Sequence, residues 1–370
     1  MLQQGITRRN YFSRIREASY GAGSTLDTYA NLEGEMGTPT AEMWSDTQET
    51  TGYEEERSKT LLAQGPGAIS ISGRASAGVT PLLLTYALGG DTVSNPEASA
   101  YQHLIAPANL TTDLYTFTHE QHSIGATDAT AGSSFKWVGC VVDNFELSCV
   151  RKGFVQMSAD ILTKGDYDTG SSQTEGGMVG PVKYYVMGNT AAWLSTGHLE
   201  GSFSVAPPTT ANTRVTDLNS SGLLALSSHL REIRYRVANG LLGDEGYGAN
   251  ATDTGVRTQL PRNRRVQTVQ LVLDYNTTTA AIQQYHLSAS GGNTDFGLEW
   301  SCVTGTALGA TYYYGWKLIW PQVQIENVTR GGGMGPQTLT IDCTVQADGT
   351  NNSVLGYWWN GTAGQYAYTS

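Results

Sequence analysis

Two stretches of apolar–polar alternation, one in each half of the chain, restrict what this sequence can fold into more than any other feature. In residues 136–164 the segment Val141-Val142-Asp143-Asn144-Phe145-Glu146-Leu147 alternates, Lys152-Gly153 makes a turn, and Phe154-Val155-Gln156-Met157-Ser158-Ala159-Asp160-Ile161 alternates again. Period-two alternation on both sides of a turn predicts an antiparallel hairpin with one buried face. Residues 314–345 repeat that anatomy. Phe145 and Leu147 align with Val323 and Ile325, and Met157 to Ile161 align with Leu339 to Cys343. The longer turn Gly331-Gly332-Gly333-Met334-Gly335 absorbs the offset.

The elements before each hairpin also recur in order. Residues 67–73 read as a short strand, and Pro81 to Leu88 as a short helix with proline in its first turn and Gly89-Gly90 after it. In the second half, residues 266–275 alternate as a strand and residues 278–287 make a short helix closed by Ser290-Gly291-Gly292. A shared order of elements is the mark of internal duplication. The expectation is one domain used twice, residues 1–200 and 201–370, with the boundary between 165 and 210. A chain of 370 residues is long enough for two cores.

Other segments are read one at a time. Residues 1–58 are polar, with a basic group at Arg8, Arg9, Arg14 and Arg16 and acidic clusters near Glu33 and Glu54. They read either as a solvated arm or as an arm that orders against a neighbouring copy. Residues 115–120 alternate as a strand with Tyr115, Phe117 and His119 on one face. Residues 165–177 (GDYDTGSSQTEGG) are acidic and rich in glycine and serine, and read as a protruding loop or a connector. Residues 230–237 alternate with arginines outward, as an outer-face or interface strand would.

Composition narrows the function classes. With 44 Gly, 20 Tyr and 15 % charged residues, the chain suits an all-β protein with many turns. A net charge of −11 argues against a surface that grips nucleic acid. Cys140, Cys149, Cys302 and Cys343 have no CxxC spacing and read as structural thiols in a reducing compartment, with a disulfide as the alternative. The N-terminus has no apolar signal region, and no stretch reaches the ~18–20 apolar residues of a membrane span. The expectation is a soluble protein made in the cytoplasm.

No pattern of catalytic chemistry stands out. His119-Glu120-Gln121-His122 places its histidines three apart, whereas the zincin motif needs four. His103, His198, His229 and His286 are scattered, and residues 244–253 lack the oxygen spacing of a calcium loop. Nucleophile elbows, Walker loops and dinucleotide fingerprints are absent. Trp137, Trp316 and Trp320 lie within alternating strands, as core or subunit-contact residues do. The expectation is a protein that is not an enzyme, with no catalytic, cofactor-binding or metal residues.

Four segments carry a family resemblance: Arg16 to Gly21 with residues 37–40 and Trp44; residues 54–58 before Gly67-Ala68-Ile69-Ser70-Ile71; residues 78–84 leading to Ala87-Leu88-Gly89-Gly90; and residues 314–345 after the Leu271 to Asp274 strand. Taken together they resemble the tail tube (major tail) proteins of long flexible-tailed phages and related tailed viruses. The resemblance spans most of the chain as an order of elements. It implies a mostly β fold of two tandem β-sandwich or barrel domains, each with a short flanking helix, joined edge to edge into rings. Such rings would be trimers with pseudo-six-fold symmetry, or hexamers, stacked into a hollow virion tail. Double-stranded DNA would pass through without sequence-specific binding, along an acidic inner wall. The resemblance further implies tape measure, tail terminator and distal tail proteins as partners, and no membrane. Deleting residues 165–177 is expected to block stacking and leave a folded monomer. The alternatives are a capsid or decoration β-sandwich protein of a virion, and a carbohydrate-binding or hydrolytic β-sandwich protein.

Overall fold

The structure, a computed structural model, describes residues 7–34, 41–45, 59–64, 68–108, 114–122, 134–180, 183–195, 199, 203, 205–211, 223–243, 257, 259–288, 295–332, 336–347 and 352–368. Residues 37–40, 54–58, 244–253 and 290–292, and His198, lie outside the described residues. The described chain is mostly strand, with two α-helices. In the first half, β1 (Thr7–Phe12), β2 (Thr28–Gly34), β3 (Ala41–Ser45), β4 (Lys59–Gln64) and β5 (Ala68–Arg74) lead to α1 (Val79–Leu88). They are followed by β6 (Gly89–Glu97), β7 (Ala100–Pro107), β8 (Phe117–His122), β9 (Ser134–Val150), β10 (Val155–Leu162) and β11 (Tyr167–Thr169). In the second half, β12 (Thr190–Ser195), β13 (Leu223–Ala225), β14 (Leu230–Ala238) and β15 (Val266–Asp274) lead to α2 (Thr277–Ser288). After it come β16 (Asp295–Leu308), β17 (Tyr312–Gly331), β18 (Thr338–Gln346) and β19 (Leu355–Asn360).

The pairing scheme of the first half recurs in the second. β10 lies between β5 and β9, and β18 between β15 and β17. On its other side β9 pairs with β8 and β8 with β1, just as β17 pairs with β16 and β16 with β12. The short β11 sits beside β9 as β19 sits beside β17. β1–β2–β5–β10–β9–β8 closes on itself through the β1–β2 ladder and two residue pairs from β2 to β5. The halves are also tied to each other, because β9 pairs with β14 and β7 with β19. One apolar cluster runs through both halves, so they share a sheet and a core. β12, which the division at residue 200 places in the first half, pairs with β13 and β16 of the second.

A β-bulge fixes how the two hairpins correspond. Between β9 and β10 the register passes from Asp160↔Asn144 to Ile161↔Val142, leaving Asp143 as the extra residue. Between β17 and β18 it passes from Asp342↔Asn327 to Cys343↔Ile325, leaving Glu326. The aspartate opposite each bulge is bonded in the same way: Ser70 Oγ donates to Asp160 and Gln270 Nε2 to Asp342, both at 2.7 Å. Met157 to Ile161 therefore correspond to Leu339 to Cys343, as alternation predicts. The first strand differs: Phe145 corresponds to Val328, not Val323, and Leu147 to Arg330, not Ile325. A bulge adds a residue without breaking the local pattern, so alternation alone places that strand in the wrong register.

The two helices sit differently, α1 inside the core and α2 on its flank. All ten residues of α1 are buried, since VTPLLLTYAL is apolar on every side and has no face to give to water. Gly89, at φ 100°, ends it in the left-handed conformation. α2 is the peripheral one. Asn276 Oδ1 accepts from the backbone N–H groups of Thr278 and Thr279 at 2.9 and 3.0 Å, which caps its start, and Ile282 anchors it to the core.

The arm expectation is corrected for residues 7–34, which are built into the barrel. Their charges were misleading because several of them have partners inside the fold. Arg14 pairs with Asp27 at 2.9 Å and Arg9 with Glu175 at 2.9 Å. The Glu17 carboxylate accepts from the Gly139 N–H at 3.0 Å. All four cysteines are buried free thiols. Burial pushes Cys149 up to about 12.

Asp274 closes the end of β15 by accepting from Arg151 Nη2 at 2.5 Å and from Arg231 Nε. Burial alone would raise its pKa, but the hydrogen bonds and charges of the two arginines outweigh that and hold it below the usual carboxylate value. A depressed folded pKa gives stability that is present above the unfolded pKa and lost as pH falls through the folded one. The site is part-exposed, so Asp274→Asn is expected to cost only about 1 kcal/mol at neutral pH. In urea denaturation the gap to the parent should narrow as pH is lowered through about 4.

Candidate functional site

Period-two alternation gives the sheet β5–β10–β9–β14–β15–β18–β17 two unlike faces. Phe145, Leu147, Tyr235, Val237, Val269, Leu271 and Ile341 point into the core. The opposite face carries side chains that the registers place in rows across all seven strands. One row runs Ser72, Ser158, Glu146, Arg236, Thr268, Thr344, Gln324. The next runs Arg74, Gln156, Ser148, Arg234, Gln270, Asp342, Asn327. Neither row contains an apolar residue. A shallow groove crosses the face among Glu146, Arg234, Arg236, Gln270, Glu326 and Asp342.

This face is mildly acidic, since Glu146, Asp160, Glu232, Glu326 and Asp342 face three arginines. Glu146 and Asp342 stand against Arg74, Arg234 and Arg236 in the two rows. The arginines are occupied by acceptors of their own chain. Arg234 lies 3.4 Å from Glu146 and 3.1 Å from Glu232, and Arg236 donates to Asn144 at 3.1 Å. Arg74 lies over the Phe154 ring, 4.1 Å from its centroid.

β14 is paired along both edges, with β9 on one side and β15 on the other, so its exposed Arg234 and Arg236 sit mid-sheet rather than on an outer edge. β17 is the contrasting strand. It pairs with β16 as far as Gln324 and with β18 from Gln322 to Gly331. Beyond Gln324 its β16 side has no strand partner among the described residues, and Glu326, Asn327, Thr329 and Arg330 are exposed. The corresponding part of β9, Asn144 to Val150, is the part that β14 occupies.

The remaining sequence candidates resolve into structural clusters. All six residues of β8 are buried, so both faces of FTHEQH are covered, not one. His119 stacks on Phe12 with centroids 4.6 Å apart and holds Asn10 Oδ1 at 3.0 Å. Burial takes its pKa down to about 3, so it is neutral. His122 Nε2 meets Glu120 Oε1 at 2.6 Å. Residues 165–177 neither protrude nor merely connect. Tyr167–Thr169 pairs with β9, Ser171 N–H and Gln173 Nε2 donate to Glu120 at 2.9 and 3.3 Å, and Tyr11 donates to Glu175 at 3.1 Å. Deleting this strap would remove the Ser171 and Gln173 bonds to Glu120 and the Glu175 partner of Arg9, leaving Glu120 with His122 and Arg9 with the Tyr29 ring, so the deletion is expected to destabilise the monomer as well as affect stacking. No group of three metal-ligating side chains occurs among the described residues.

Sequence reasoning missed one buried ion pair. Lys317 Nζ lies 2.8 Å from Glu299 Oε2, with both side chains essentially inaccessible. Leu199, Phe203 and Val205 pack in one cluster with Ile319 and Tyr357, the cross-strand neighbours of Glu299 and Lys317; Leu199 N–H bonds to the Pro321 carbonyl at 2.8 Å and Tyr357 donates to the Phe203 carbonyl at 2.9 Å. One charge within each of the apolar runs GLEWSCV and YGWKLIW was the available signal. No protein-family model matches the chain, and the search of curated proteins finds no match to it.

Proposed function

We propose that this protein is the ring-forming subunit of a viral tail tube, as its resemblance to tail tube proteins implies. The observation that carries the reading is the seven-strand polar face, assembled from two equivalent runs of strands, continuous across β9–β14 and ending at β17, whose far side has no strand partner among the described residues beyond Gln324. A strand pair that joins the halves of one chain can also join chains, and repetition of one contact closes a ring. Three copies would supply six repeats. The hydroxyl and amide rows would line the bore. A wall whose arginines already hold Glu146, Glu232 and Asn144 offers phosphates few unoccupied cations, so duplex DNA would slide rather than adhere. The surplus of carboxylates over arginines on this face would add the acidic wall that the resemblance implies, in a virion tail with tape measure, terminator and distal tail proteins at the tube's interior and ends.

Negative-stain microscopy of concentrated, warmed protein tests the reading. Hollow tubes with a regular axial repeat are the expected result. Closed shells would turn the assignment to a capsid or decoration role. Protein that stays monomeric and binds glycans on an array would turn it to a carbohydrate-binding β-sandwich.

A further inference from the structure

Residues 361–368, which follow β19, are seated on the first half of the chain. Asn360 Nδ2 donates to the Ala77 carbonyl and to the Tyr366 hydroxyl, both at 2.9 Å. Arg14 Nη1 donates to the Ala363 carbonyl at 3.3 Å, and the Arg16 N–H bonds to the Tyr368 carbonyl at 3.0 Å. Tyr366 and Ala367 belong to the main core. One further contact is of a different kind, because it involves a buried titratable pair. His103 of β7 has Nδ1 2.9 Å from Asp91 Oδ2 and Nε2 3.2 Å from the Thr362 carbonyl. The Tyr366 N–H donates to the same Asp91 oxygen at 2.8 Å. Neither the imidazole nor the carboxyl is accessible to water.

Hydrogen-bond polarity sets a proton count for this pair. A carbonyl oxygen only accepts, so Nε2 carries a hydrogen. A carboxylate only accepts as well, so Nδ1 carries one too, or else the Asp91 carboxyl is itself protonated and donates to Nδ1. Either way the pair holds one proton more than a neutral imidazole beside a carboxylate. Taking that proton away sets a nitrogen lone pair against an oxygen where no water can intervene, which loses a buried hydrogen bond. The groups around the pair do not supply a substitute. Trp358 faces His103 from β19, and the Tyr366 ring lies 4.5 Å from the imidazole, its phenol kept neutral because burial raises its pKa. Arg14 is held by Asp27 at 2.9 Å, and Arg16, which lines a cavity with Asp91 and Tyr366, lies over the Tyr115 ring.

We infer that His103 and Asp91 form a proton-held latch: residues 361–368 stay seated while the pair keeps its extra proton and lift off as rising pH removes it. A proton bound in the seated state and not in the open one stabilises the seated state below the pH of release, and that stabilisation is lost above it. Lifting would uncover Tyr366, Ala367 and the start of α1, so the latch couples proton binding to exposure of the core. No contact between copies enters this inference, and it stands apart from the tube reading.

Hydrogen exchange read by mass spectrometry on the full-length protein, between about pH 6 and pH 10, tests it. With the intrinsic base-catalysed rate divided out, residues 361–368 should lose protection by about tenfold per pH unit once the proton leaves, while β14 and β15 keep theirs. His103→Phe keeps a ring against Tyr366 but binds no proton, and its residues 361–368 should show no such dependence. Protection that follows the intrinsic rate alone in the parent, or an equal pH dependence in His103→Phe, overturns the latch. Should His103→Phe fail to fold, the nitrogen-15 spectrum of the parent labelled in histidine takes its place, with His103 identified by its contact with the Tyr366 ring. A proton on Nε2 while the segment is seated is the expected result, and an unprotonated Nε2 overturns the latch.

Discussion

Replacing Trp316 with alanine is expected to cost about 3–5 kcal/mol. Trp316 is fully buried on the central strand of the second half, and its neighbours are themselves indoles and a phenol. Trp300 meets it edge-on with centroids 4.6 Å apart, Trp358 stacks at 5.5 Å, and Tyr185 meets it edge-on at 6.1 Å. The cross-strand register sets this contact, since Cys302, Trp316 and Trp358 stand opposite one another on β16, β17 and β19. Truncation would leave a cavity walled by large rigid rings, which cannot collapse into it. Domain stabilities are about 5–15 kcal/mol, so the loss consumes much of the margin. Urea denaturation should show a strongly lowered midpoint, while Trp316→Phe should keep part of the stability. A midpoint unchanged in Trp316→Ala would mean that the aromatic cluster does not carry the core of the second half.

The second large effect belongs to the buried pair of Lys317 and Glu299. Taking two charges out of water is costly, and their attraction offsets the cost only while both remain. Lys317→Met alone leaves a buried carboxylate beside a methyl group, and Glu299→Leu alone leaves a buried ammonium. Each is expected to destabilise by about 3–5 kcal/mol. The double variant removes both charges and should fall within about 1 kcal/mol of the parent, or above it. A double-mutant cycle in urea measures the coupling. Single variants that cost no more than the double would show that water reaches the pair.

Much of this architecture was legible because its signals are local. The Val141 to Leu147 and Phe154 to Ile161 alternation, the Lys152-Gly153 turn, and Pro81 and Gly89 bounding a short helix each depend on a few neighbouring residues. The order strand, helix, hairpin recurs for the same reason. What failed depends on distant partners. Asp143 and Glu326 shift a register without disturbing alternation. Arg9, Arg14 and Glu17 look like a solvated arm until Glu175, Asp27 and the Gly139 amide are brought to them. The strap from 165 to 177 looks like loose loop because its fixing points, Glu120 and β9, are far back in the chain. That β17 has one strand partner beyond Gln324 among the described residues was also hidden, because the number of partners is a property of the sheet and not of the strand.

The symmetry of the assembled ring tests the central claim most directly, that one chain supplies two equivalent ring positions. End-on averages of tubes, with subunits counted by mass, should show six similar lobes around the bore and three chains per ring. Six chains per ring, or lobes that match the chain count one to one, would contradict it.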